Sequence, residues 1–384
     1  MMIMMTETIN TINKKKSRAT RNFILTIILI AVGILVPMLL NDAIDSYTRR
    51  ILNLCAIYAI VALSMNLVNG FCGLFSLGQA GFMAIGAYSV AIFTVPTELR
   101  PDIFYIEPMN PFLANIEMPF PVAMLLGGVL AAVFAFIIGF PVLRLKGDYL
   151  AIATLGFSEI IRVVFTNTQT ITNGSLGIKN IPTLSNMTTI YIVLIIVIII
   201  LALLLSSSYG RAIKAIREDE IVAESLGISL FKHKMIAFVG SGFFAGIGGG
   251  LYAAFLGTVD PKNFMFILTF NFLLIIVMGG LGSLTGTVIA SFIVTYGLEV
   301  MRFFDEPLVL GGYEIALFKP GLRMVLFSVL LMVIVIFWQR GLLGKTELTW
   351  NRMFGWPGKI KGRFTKKKPD NEAVSLEKTE GGER

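Results

Sequence analysis

Few side chains in this 384-residue sequence are of a type that does chemistry, and the densest group of them lies in one run, Gly210 to Ile228. Arg211, Lys214 and Arg217 recur at helical spacing, with Ala212, Ala215 and Ile216 offering an apolar face. Glu218, Asp219 and Glu220 then reverse the sign, Ala223 follows, and Gly227 stands where a helix C-cap belongs. Charges around an apolar stripe serve recognition rather than catalysis: such a helix inserts into a groove of a partner. A helix lying on lipid headgroups is the other use of the pattern, but the acidic triplet opposes an anionic surface. His233 is the only histidine and sits between Lys232 and Lys234 at a membrane entry. One histidine without a carboxylate cluster argues against a metal enzyme, and no nucleophile–base pair stands out. Cys55 and Cys72 have no metal-ligand spacing and read as small apolar packers.

Gly341-Leu-Leu-Gly344-Lys345-Thr346 resembles the end of a phosphate-binding loop. The motif needs a glycine at position 339, where this chain has Gln339, and a strand before it, where this chain has an apolar helix. It is rejected as a nucleotide site.

A second group of polar residues lies inside apolar stretches. Asn66, Asn69, Ser76 and Gln79 flank Gly70, Gly73, Gly78, Gly81 and Gly86. Glycines this dense let helices approach closely, and they also let a helix break inside a membrane. Under the second use the four polar side chains line a pathway. Glu159 and Arg162, at i and i+3, pair with each other or mark a gate, since a charge at mid-membrane costs roughly 2.5–3.5 kcal/mol. Asn271 raises the same question more mildly.

The elements that hold these residues follow from composition. The chain is 55% hydrophobic and 15% charged, against about 25% for a soluble domain. Apolar runs long enough to cross about 30 Å of hydrocarbon recur along it. Ten fit, at 23–40, 51–69, 76–95, 119–143, 149–165, 189–206, 235–257, 263–280, 284–300 and 321–338. The fold class is all-α, a polytopic transmembrane helical bundle of about eight to ten spans with discontinuous Gly-rich segments. Residues 1–22 form a basic N-tail, 23–345 the membrane domain with the charged loop 207–234, and 346–384 a polar, basic tail expected to be disordered. Gly242, Gly246 and Gly250 recur every four residues, as do Gly282, Gly286 and Ala290, each a small-residue stripe for helix packing.

Lys and Arg accumulate on the cytoplasmic side of membrane proteins. With the N-tail inside, Arg144, Lys146, Arg211, Lys214, Arg217, Lys232 and Lys234 fall inside, while Glu98, Asp102, Glu107 and Glu117 fall outside; Arg49 and Arg50 dissent. Both termini are therefore expected to be cytoplasmic. The net charge of +8 is concentrated in the tails, which suits membrane lipid and argues against nucleic acid.

Several blocks occur here in an order that resembles the longer permease subunit of branched-chain amino-acid ABC importers. They are Gly70 to Tyr88, Gly147-Asp-Tyr-Leu-Ala-Ile-Ala-Thr154-Leu-Gly156, Arg211 to Ile228, Met278-Gly-Gly-Leu-Gly-Ser283 and Gly341-Leu-Leu-Gly344. The resemblance covers roughly residues 50 to 345 and departs in places. The general Glu-Ala-Ala-x-x-x-Gly loop has only its second half here, ending in Ala223 and Gly227, and Gln79 stands where the family often has histidine. It implies a bacterial inner-membrane permease that binds no cofactor itself. ATP is used by two cytoplasmic ATPase subunits docked on Arg211 to Gly227. A second, homologous permease and an extracytoplasmic solute-binding protein complete the system. Related permeases move urea, short amides or sugars. An ion-coupled carrier would need several mid-membrane ionisable residues, and Glu159 is nearly alone. A membrane enzyme would need a catalytic cluster at one interface, and none stands out.

Overall fold

The computed structural model describes residues 31–39, 43–145 and 147–302. Beyond them it describes 309–310, 313–314, 322, 325–326, 328–329, 332, 341–342, 344 and 347. The tail expected at 1–22 lies outside the described residues, as do most of the span at 321–338 and all of 346–384 except Glu347.

Ten helices carry the argument: α1 Ser46–Asn66, α2 Gln79–Thr94, α3 Phe120–Val142, α4 Asp148–Asn167, α5 Met187–Ser206, α6 Ser208–Glu218, α7 Glu220–Ser225, α8 Leu230–Leu256, α9 Phe266–Gly279 and α10 Leu284–Val300. A further helix occupies 31–39. Among the described residues five stretches are long and apolar enough to cross a membrane: α1 with its extension to Phe71, α3, α4, α5 and α8. Helix α2 makes a sixth only together with Thr97–Ile103, from which it is bent by 99°. The last two, α9 and α10, have 14 and 17 residues; at ~1.5 Å per residue both fall short of a full crossing. A two-residue antiparallel pair, Val309–Leu310 with Tyr313–Glu314, is the only named sheet among the described residues.

The Gly-rich segment does break. Helix α1 loosens into a π turn over Leu67–Phe71, the chain then runs without helix to Gly78, and α2 begins at Gln79. Asn69 braces the break by gripping the backbone of one residue on its far side. Its Nδ2 donates to Ser76 O at 3.1 Å, and its Oδ1 accepts from Ser76 N at 3.2 Å. Irregular backbone is tolerated inside a membrane only where protein satisfies it, and here Thr154 Oγ1 also takes Leu77 N at 2.9 Å.

Helix α8 is the hub, and its glycines explain why. A Cβ on Gly242 would stand 2.6 Å from Ala135 Cβ, one on Gly246 2.6 Å from Ala131 Cβ, and one on Gly250 2.8 Å from Val90 Cγ2. The stripe thus seats α3 on its first two members and α2 on its last. The second series differs from expectation. Gly286 packs against Gly279, but Gly282 lies in the loop before α10, with φ +86°, and is no part of a helical stripe.

The connections sort to the two ends of the bundle. At one end lie the π turn, the α6–α7 segment and the 280–283 loop, tied by Lys234 Nζ to Glu220 at 2.7 Å and by Arg217 to Leu281 O. At the other lie 96–118, 168–186 and 257–265, stitched by the Ile178–Val259 bridge and by Asn110 N to Thr170 O at 3.0 Å. There Arg100 is buried and, among the described residues, pairs with no carboxylate. Its guanidinium donates instead to the carbonyls of Val95, Leu113, Ala114 and Ile116 at 2.6–3.1 Å. Burial pushes its pKa down and Glu117 opposes that shift. Glu98, Asp102, Glu107 and Glu117 lie in the same 96–118 segment.

Candidate functional site

The charged segment is two helices, not the single helix its pattern predicts. Asp219 takes an extended conformation (φ −160°, ψ 117°) between α6 and α7, and its Oδ1 accepts from Ile221 N and Val222 N at 2.8 and 3.0 Å. This is an N-cap, and it satisfies donors that the new helix leaves orphaned. Helix α7 ends as the glycine predicts. Gly227 has φ +81°, its N–H reaches Glu224 O at 2.9 Å, and Ile228 N reaches Ala223 O at 3.1 Å. Those two bonds define a Schellman motif.

Helix α6 buries Gly210, Ile213 and Ile216, rather than an Ala212–Ala215–Ile216 face. Its basic residues turn back on the protein. Arg211 donates to Ser206 O at 3.0 Å and Lys214 to Leu205 O at 3.2 Å, both carbonyls of the last turn of α5. Cations there complement the negative end of that helix. Lys214 Nζ also lies 5.8 Å from the Phe71 ring. Arg217 reaches furthest inward: its stem packs on Gly73, 3.1 Å from a Cβ built there, and its Nη1 fills the space beside Gly282.

The acidic triplet divides its work. Asp219 caps α7 and Glu220 pairs with Lys234, while Glu218 is exposed. The second helix and its C-cap Leu226 also present apolar side chains to solvent, beside the exposed Glu224 and Ser225. Ile221 is 77% exposed, Val222 53% and Leu226 75%, whereas Ala223 behind them is buried. These three side chains are the part of the site that the sequence pattern missed. Their signal was the Asp-capped start at 219, which turns the register of everything after it.

The expected pathway residues do not come together as one group. Asn66 is fully buried at the end of α1. Its Nδ2 donates to Ser283 O at 3.0 Å and Thr287 Oγ1 at 2.7 Å, and its Oδ1 accepts from Gly282 N at 2.9 Å. It joins the 280–283 loop to the π turn, and Gly70 leaves room for it, since a Cβ there would strike Asn66 Oδ1. Asn69 and Ser76 brace the break. Gln79 Nε2 donates to Ser241 Oγ at 2.6 Å, and its Oε1 has no partner among the described residues. Glu159 pairs with Arg162 at 2.7 Å and accepts from Phe266 N at 3.2 Å, the start of α9. Asn271 is half-buried on α9. Arg217, in the last turn of α6 just before the Asp219 cap of α7, therefore meets the 280–283 loop, which Asn66 also holds. At the opposite end a cavity of about 520 Å³ opens between Thr94, Glu117, Met118, Phe120 and Leu184.

Residues 47–337 match the family model described as branched-chain amino acid transport system / permease component. The high-affinity branched-chain amino acid transport system permease protein LivM of Escherichia coli K12 is 36% identical over 301 residues, 69% of this chain and 66% of that protein. The chain thus spans just under two thirds of that relative's length. The probable branched-chain amino acid transport permease protein LivM of Methanocaldococcus jannaschii is 25% identical over 317 residues, 75% of this chain and 90% of that one. The nucleoside ABC transporter permease protein NupC of Lactococcus lactis is 23% identical over 201 residues, 47% of this chain and 59% of that one. No solved structure matches.

Proposed function

The chain belongs to the branched-chain amino acid transport system permease family, and from that premise we propose that it is the membrane subunit of an ATP-driven importer. It moves branched-chain amino acids inward by alternating access, beside a second, homologous permease, in a bacterial inner membrane. Two cytoplasmic ATPases dock on the α6–α7 segment, and a solute-binding protein delivers substrate to the opposite end. The observation that carries this reading is the apolar surface of Ile221, Val222 and Leu226 on a short helix pinned by Asp219 and Gly227. Exposed apolar side chains on a rigid, capped helix fit a hydrophobic groove. Arg144, Arg211, Lys214, Arg217 and Lys232 fall in the segments of that end, with Arg49 and Arg50 at the start of α1 dissenting, which supports cytoplasmic termini by the positive-inside rule, a count of Lys and Arg rather than of acids.

A ligand shifts a conformational equilibrium only by its differential affinity for the two states. ATP supplies that difference in the partner subunits, and α7 passes it on through Arg217. Purification of the complex from its native membrane in mild detergent, with mass spectrometry of what accompanies it, tests the assembly. An ATPase and a second permease support the reading. A chain that stays alone through several detergents and transports when reconstituted alone refutes it. Uptake of labelled leucine, isoleucine and valine, in competition with nucleosides, tests the substrate.

A further inference from the structure

The rejected phosphate-loop look-alike has no part in the contacts described so far, and the family match ends at residue 337, before it begins. Its glycines nonetheless sit in a built seat. A Cβ on Gly280 would stand 2.5 Å from Gly344 O, and one on Gly341 2.6 Å from Gly280 N and 2.7 Å from Val277 O. Leu342 N donates to Met278 O at 2.7 Å. Backbone lies directly on backbone, and Gly280, Gly341 and Gly344 all have positive φ, a conformation open to glycine at little cost.

Beyond this seat comes Glu347. Its Oε1 accepts from Leu284 N at 2.7 Å, and its Oε2 accepts from Thr285 N at 3.2 Å and Thr285 Oγ1 at 2.9 Å, with Ser283 Oγ at 3.5 Å. Those are the first N–H groups of the 17-residue α10, where an anion is favoured. Ser283 already caps Gly286 N at 3.1 Å. The helix start is therefore held twice, once locally and once from 63 residues away. The same loop is held from the other side by Asn66 and Arg217.

We propose that Gly341, Leu342, Gly344 and Glu347 form a latch on the 280–283 loop, with Glu347 a positioning residue that makes α10 follow the α6–α7 segment. A loop gripped on one side only would yield when Arg217 moves; gripped on both, it carries the displacement into α10. The proposal rests on the importer reading and adds a second required grip to it.

The test is Glu347→Ala and Glu347→Asp in the full complex, reconstituted with its ATPases and binding protein. Uptake, ATP hydrolysis and hydrogen exchange at Leu284 and Thr285 are read together. Glu347→Ala is expected to lower uptake per ATP by roughly fivefold or more, the low end of coupling between distant sites. Hydrolysis is maintained, the two amides exchange faster, and Glu347→Asp restores at least half of the coupling. Unchanged uptake per ATP in Glu347→Ala overturns the latch. So does a parallel fall of uptake, hydrolysis and complex yield that aspartate fails to rescue, since that marks a purely structural residue. If the wild-type complex itself shows no hydrolysis stimulated by the binding protein, the importer reading fails and the latch falls with it. That result is distinct because it appears without any variant.

Discussion

The guanidinium of Arg217 occupies the space that a methyl group on Gly282 would need. Gly282 has φ +86°, so alanine there meets a backbone cost of roughly 1–2 kcal/mol as well as the collision. The collision is relieved most easily by the far end of the arginine, which swings off the loop. Gly282→Ala is therefore expected to leave a folded permease whose ATP hydrolysis no longer drives uptake. Gly147→Ala is the control, because Gly147 also has positive φ (+59°) but a Cβ there meets nothing within 4 Å. It should incur the backbone cost alone and keep uptake per ATP near normal. Equal loss of coupling in both variants would show that the Arg217 contact is irrelevant.

Asn66 is the other grip on the same loop. Alanine there removes the acceptor for Gly282 N–H in a site without solvent access. Ser283 O and Thr287 Oγ1 still bond each other at 2.8 Å. One buried donor is thus orphaned, at about 1–3 kcal/mol. Asn66→Ala should lower the thermal midpoint of the detergent-solubilised protein and speed exchange at Gly282. An unchanged midpoint with unchanged exchange would mean that the loop is held without Asn66.

The spans were legible because apolar length is a coarse, one-dimensional signal: the run Ile190 to Leu205 carries no charge and became Met187–Ser206 with its ends barely moved. Gln79 as the start of α2, three residues later than expected, depended on Asn69 and Thr154 holding the extended stretch before it. Those partners are distant in sequence and could not be read locally. The break at Asp219 had a local signal, an aspartate positioned to cap, but the amphipathic pattern running through it was stronger. Gly282 kept helical spacing with Gly286 by coincidence, since Ser283 caps α10 one residue later. Arg100 and Glu347 were invisible as structural residues, because every partner of each lies on another element or across a loop.

Arg100 tests the outer cap. Its planar fork reaches four carbonyls, a geometry that a lysine ammonium with three donors on a flexible stem does not reproduce. Arg100→Lys is expected to loosen 96–118, seen as faster limited proteolysis there at unchanged protease sensitivity of 207–234. Binding-protein-stimulated hydrolysis should need more binding protein for half-maximal effect. Protection of 96–118 equal to wild type would show that lysine satisfies those carbonyls and that the fork is dispensable.

The exposed face of α7 makes the sharpest demand. Ile221 and Leu226 are 77% and 75% exposed and contribute little to the fold of the isolated chain, so Ile221→Asp with Leu226→Asp should leave expression and thermal midpoint within experimental error. In the complex the same two positions would carry buried apolar contacts, worth roughly 1.5–3 kcal/mol each on full burial, and a carboxylate in that groove adds a desolvation cost. Loss of both contacts corresponds to about a hundredfold or more in affinity for the ATPase subunit. The measurement is co-purification of the ATPase, followed by its titration onto the permease in detergent. Ala223→Asp separates docking from folding: Ala223 is buried behind the apolar pair, so a charge there should disrupt α7 itself and speed exchange at Ile228, whose N–H bonds Ala223 O. If the double aspartate variant binds the ATPase as tightly as wild type, the docking surface lies elsewhere and Ile221, Val222 and Leu226 need another occupant.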